Sequence, residues 1–110
     1  MSRRRFEVAK QGLRERDARE RAFDFLREHA DAYVDELIAE FAGEEDPQLR
    51  CWLLELLAEA RSAKALDVFR GELESPDESL QFWAVRGLEM LDSRAAEQVL
   101  EEARAGGWIA

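Results

Sequence analysis

Cysteine is almost missing from this sequence. Cys51 is the only one, which excludes an internal disulfide and a thiolate metal cage. Proline occurs twice and glycine six times in 110 residues, too little for a turn-rich or disordered chain. Val, Ile and Thr are scarce while Ala, Leu, Glu and Arg abound, a helix-forming rather than strand-forming balance. No stretch approaches the roughly 20 apolar residues that cross a bilayer. A glycine-rich phosphate loop, His/Cys metal spacing and a serine nucleophile elbow are all absent, so neither a cofactor, a metal nor a catalytic residue is expected.

What is present is acid. The net charge is −9, but residues 1–21 carry eight Arg or Lys against four Asp or Glu, whereas residues 22–110 carry eight against twenty-one. An acidic body behind a basic arm lacks the continuous cationic track that phosphate binding needs, which argues against nucleic acid. A basic protein is the better electrostatic match. The opening "SRRRF" resembles the start of a twin-arginine export signal, yet "EVAKQGLRERDARER" follows instead of an apolar stretch, so a cytoplasmic, monomeric protein is expected.

One domain spans 1–110, and it repeats internally. A shift of 31 residues aligns 15–45, 46–76 and 77–107 behind a basic arm at 1–14. Ala18, Leu49 and Leu80 coincide, as do Leu26, Leu57 and Leu88, and later Leu37, Val68 and Val99. Asp31, Ser62 and Ser93 share one position, and each is a preferred helix N-cap. The spacing predicts helices over 15–29, 31–42, 47–60, 62–74, 77–91 and 93–105, with a further short helix over 3–13. Seven helices and no strand make an all-α fold.

The chain resembles the HEAT-repeat family from about residue 15 to 105, best in "EEDPQLRCWLLELL"; armadillo-like and other α–α arrays share the pattern. The resemblance implies a short right-handed solenoid of about three helix pairs. It also implies bonds between repeats from an acidic residue before the second helix to an Arg inside it, parts that Glu44 and Arg50 can take. The next copy has Ser75 and Gln81, so that ladder reads as incomplete.

Within "SLQFWAVRGLEML", Phe82 and Trp83 point about 100° apart on a helix, so one narrow stripe cannot take both. Trp83 aligns with Trp52, which shares a helix side with Leu49, Leu53, Leu56, Leu57 and Ala60; both tryptophans read as core. Phe82 aligns with Cys51 and Glu20 on the other side. In the resembling family that side lines the concave surface. The ridge runs Glu20, Asp24, Arg27, Glu28; then Cys51, Glu55, Glu59; then Phe82, Arg86, Glu89, Met90. Aromatic, Arg and Met side chains are enriched where interfaces hold their energy. The alternative is that Phe82 packs on a neighbouring helix or on the C-terminal "GGWIA". Gly87, opposite the larger Leu56 in the alignment, reads as a site of close helix approach, and His29 as a packed or capping residue.

These features point to a non-catalytic protein-binding module with an acidic concave face and a basic protein partner. Small acidic HEAT-like proteins standing alone resemble immunity proteins that neutralise bacterial toxins, which implies a toxin domain as that partner. A general adaptor or regulatory subunit is the alternative. HEAT-like enzymes, the alkylpurine DNA glycosylases and bilin lyases, are a further one, disfavoured by the acidic ridge and the short chain.

Overall fold

A computed structural model describes residues 3–110; residues 1 and 2, the start of the arm placed at 1–14, lie outside the described residues. Among the described residues seven α-helices follow one another: α1 (Arg3–Gly12), α2 (Arg19–Glu28), α3 (Val34–Gly43), α4 (Pro47–Ala60), α5 (Leu66–Glu72), α6 (Glu78–Leu91) and α7 (Arg94–Ala105). Short 3-10 turns at Ala30–Ala32 and Ala63–Ala65 precede α3 and α5. There is no strand among the described residues.

The 31-residue period is written in the helix ends. Asp46 Oδ1 accepts from the backbone N–H groups of Gln48 (2.8 Å) and Leu49 (3.2 Å), and Pro47 occupies the first turn, where its missing N–H costs nothing. Asp77 repeats this cap on Ser79 (2.9 Å) and Leu80 (3.3 Å). Both helices end on a residue in the left-handed region, Arg61 (φ 50°) and Asp92 (φ 48°). Ser62 and Ser93 follow at once and cap the next turn on Lys64 N and Ala96 N.

The first copy departs from this pattern. Its first helix begins at Arg19 rather than near 15, because residues 13–18 form turns. Asp31 is not an N-cap: it lies inside the 3-10 turn, and α3 starts at Val34 without a side-chain cap. Burial takes over the task, since Ala30 at the start of that turn and Tyr33 just after it are both enclosed in the core.

The helices pair as α1 with α2, α3 with α4 and α5 with α6, while α7 closes against α6. Between pairs, α4 packs broadly on α6 and more lightly on α2, so α2, α4 and α6 form one layer. The array measures 42 × 26 × 20 Å. One continuous core runs from Phe6 in α1 to Ala103 in α7. The buried arc of α4 is wider than its expected stripe, for Leu54 and Ala58 are enclosed as well as Leu53, Leu56 and Leu57. Trp52 and Trp83, expected in the core, are only half buried at its margin.

A polar hinge fixes each pair. Arg50 Nη1 donates to the carbonyls of Phe41 and Glu44, both at 2.9 Å, and its guanidinium lies 4.0 Å from the Phe41 ring centre. Its Nη2 reaches the Glu72 carboxylate of the next pair (3.4 Å). The expected carboxylate partner is therefore corrected. Glu44 uses its side chain to accept from Asp46 N (3.1 Å) and to pair with Arg14 in the turn after α1. Gln81, 31 residues after Arg50, donates to the carbonyls of Leu73 (2.9 Å) and Trp108 (2.7 Å). Arg19, 31 residues before it, donates to Leu13 O (2.9 Å). Ser75 accepts from Asp77 N as Glu44 does from Asp46. The ladder read as incomplete is continuous once main-chain carbonyls are its acceptors, which satisfies orphan groups at each helix end.

Gly87 makes a close approach possible, as its alignment implied: a Cβ there would sit 2.4 Å from the fully buried Phe69 ring. Alanine normally stabilises an exposed helix position by up to about 1 kcal/mol over glycine. Here Gly87→Ala should destabilise by about 1–3 kcal/mol through overpacking, and a thermal melt at or above wild type would refute the contact. Leu57→Ala, emptying a site shared by neighbouring helices, should cost about 2–5 kcal/mol in a denaturant titration.

Candidate functional site

The layer of α2, α4 and α6 carries the ridge of candidate residues, and the caps set its alignment. Asp46 and Asp77 start α4 and α6 at equivalent residues, so Cys51 and Phe82, or Glu55 and Arg86, hold matching positions on neighbouring helices.

At one end, Glu20 and Asp24 from α2 and Glu55 from α4 line a shallow groove of about 380 Å³ with Arg16, Arg19, Phe23 and Trp52. Arg19 lies with its guanidinium 4.9 Å from the Trp52 ring centre. The acid is thus bounded by cations here. Arg16, Arg19, Phe23 and Trp52 were not among the candidates; Arg19 could have been found from its 31-residue relation to Arg50.

The centre of the ridge is α4. Glu55 is half buried, and that burial pushes its carboxyl above the ordinary range; the charge of Glu59 adds to the effect and Arg27 opposes it. Arg27 itself pairs with Asp24 at 3.1 Å. Cys51 is half buried and packed against the core. Burial first, then the charges of Glu55 and Asp77, push its thiol up, which disfavours the nucleophilic thiolate. Glu28 and Glu59 are exposed.

At the far end stands Phe82, 60% exposed, its ring meeting Trp83 edge-on at 5.1 Å. That exposure removes the alternative in which a neighbouring helix or the C-terminal segment covers Phe82. Arg86 and Glu89 are exposed and face each other at 3.7 Å. Met90 is half buried against the core, so it supports this end from beneath. His29 packs with its ring centre 4.6 Å from that of Phe25.

The ridge therefore offers six carboxylates (Glu20, Asp24, Glu28, Glu55, Glu59, Glu89) against Arg27 and Arg86, both held in pairs with acids of their own helices. Among the described residues no group of three or more His, Cys, Asp or Glu is arranged to hold a metal ion, and no helix is long and apolar enough to cross a membrane. The chemistry available is electrostatic attraction beside one exposed aromatic.

A family model described as HEAT repeats matches residues 34–107. No curated protein and no solved structure matches the chain. The match starts where the caps become regular and omits the irregular α1 and α2.

Glu55 gives the ridge a pH signature. Its carboxyl is raised in the folded protein, so the fold holds that proton to higher pH than the unfolded chain does. Stability from this group is present below the ordinary carboxylate range and is lost as pH rises through the folded value. Glu55→Gln should raise the melting temperature at neutral pH, and the gain should vanish in acid, where wild type is protonated in both states. A difference constant across pH would show that Glu55 is not desolvated.

Proposed function

The chain belongs to the HEAT-repeat family, and from that membership we propose that it is a non-catalytic protein-binding module whose α2–α4–α6 ridge captures a basic protein. HEAT repeats are commonly protein-interaction modules and are typically non-catalytic. The observation that carries the reading is Phe82. A ring of this size left 60% exposed beside Trp83, at the end of a row of carboxylates, is an apolar anchor next to a charge guide.

The two parts act at different steps. Glu20, Glu28, Glu55, Glu59 and Glu89 attract a cationic surface during diffusion, which raises the association rate and makes it salt-dependent. Phe82 acts after contact, because burying it removes apolar area from water and slows release. Helix pairing holds the ridge rigid, so little ordering cost is incurred on binding. A cationic toxin domain has the required charge, as would a basic surface regulated by an adaptor.

Affinity capture from native lysate with wild type and Phe82→Ala as parallel baits tests the site, followed by kinetics on the partner recovered. Phe82→Ala should raise the dissociation rate about tenfold or more with an unchanged melting temperature. Glu55→Lys and Glu59→Lys should slow association, most strongly at low salt. The assignment fails if all three bind like wild type while Arg70→Glu, on α5, abolishes binding.

A further inference from the structure

The other side of α2 carries a second surface of opposite character. Between α1 and α2 lies a groove of about 500 Å³ lined by Val8, Ala9, Ala22 and Phe25 together with Arg4 and Arg21. Val8 is 66% exposed, and Arg5 lies 5.1 Å from the Phe25 ring centre. We propose that this groove docks an acidic amphipathic helix of a partner protein.

The repeat explains why the groove exists and what shape it fits. Ala18 and Ala22 stand where the later copies have Leu49 and Leu53 or Leu80 and Ala84. Leu49 lines a cleft together with Leu13, Arg14 and Arg19 from the end of the preceding helix pair, and its helix packs on α2. The position of Ala18 is thus the face on which one pair receives another, and a helix is the object this face is built to receive. Small residues bring α1 and α2 close, since a Cβ on Gly12 would lie 2.9 Å from Ala22 Cβ. The result is a concave channel with Phe25 in its lining, suited to a row of projecting side chains and unsuited to a flat bilayer.

Charge selects the flanks of that helix. Lys10 and Arg14, also from the basic arm, are neutralised by Glu40 and Glu44 across to α3. Among the described residues, Arg4, Arg5 and Arg21 have no carboxylate within ion-pair distance. Glu15 is the single acid on the lining. Two such surfaces meeting face to face would bring like charges together, which disfavours a symmetric second copy.

The probe is a labelled, helix-stabilised synthetic peptide with one Leu/Phe stripe flanked by Glu, compared by fluorescence anisotropy with the same stripe flanked by Lys. The Glu peptide should bind about tenfold or more tightly than its Lys counterpart at low salt. Val8→Glu, an exposed change that leaves the core intact, should weaken it about tenfold, and Arg4→Glu with Arg21→Glu should reverse the preference. Glu55→Lys on the ridge should leave it unaltered, which separates this surface from the one proposed above. Equal binding of both peptides, or indifference to Val8→Glu, overturns the proposal. So does a concentration-dependent dimer lost in Val8→Glu by sedimentation, or tighter binding to phosphatidylserine vesicles than to the Glu peptide.

Discussion

Helix α4 cannot exist alone. Leu49, Leu53, Leu54, Leu56, Leu57 and Ala58 are all enclosed, an arc wider than any single neighbour can cover. Its apolar surface has to be divided among α3 in its own pair, α6 on one side and α2 on the other. Local helix propensity contributes little against that requirement, because most helical stability in proteins comes from packing an apolar face. The structure around α4 follows from satisfying it. Pairs must stack, and α7 packs on α6 while it keeps Glu97, Glu101 and Glu102 exposed to solvent.

Burial alone would leave the stacking angle loose, and the polar hinge narrows it. A side chain at the 19, 50 and 81 positions reaches back to carbonyls at the end of the preceding helix. Those carbonyls belong to helix ends, where the intrahelical ladder has no donor to offer. Because a directional bond tolerates less displacement than an apolar contact, the ladder holds each pair in register. Arg50 goes one step further by reaching Glu72 in the next pair. The ridge residues inherit that order: Arg27 on α2 opposes the upward push on the Glu55 carboxyl because α2 and α4 are held side by side.

The legible part of the sequence was the part that repeats. Leu26, Leu57 and Leu88, aligned by the period, are all fully enclosed, and the helix breaks at Pro47 and after Leu91 fall where the turn residues placed them. Phe82 read as outward because the repeat register aligns it with Cys51 and Glu20, and its ring is exposed. Three things were not readable. The cap expected at Asp31 failed because enclosure of Ala30 and Tyr33 fixed the turn by other means. The hinge at Gln81 was missed because a charge pattern was sought, while the acceptors are main-chain carbonyls that every residue possesses. The Arg19 and Trp52 wall of the acidic groove joins residues on two helices, and no local pattern encodes it.

Charge in this chain is sorted by what each helix faces rather than by segment. The arm is basic in composition, yet Lys10 and Arg14 are consumed in stitching α1 to α3, while Arg16 and Arg19 turn toward the acidic groove. Only Arg4, Arg5 and Arg21 remain toward the α1–α2 channel. Likewise Asp35 and Glu72 of the acidic body are held by Lys64 and Arg50, whereas the carboxylates of α4 face outward with no lysine or arginine of their own helix beyond Arg50. Formal charge summed over residues 1–21 and 22–110 therefore misstates both surfaces. Helix α2 is the divide: Glu20 and Asp24 look one way and Arg21 and Phe25 the other, about a quarter-turn apart at one residue's step. Helix α2 lacks the side-chain caps that start α4 and α6 and touches α4 only lightly, so its place rests on the burial of Ala22 and Leu26 and on the bond from Arg19 to the Leu13 carbonyl.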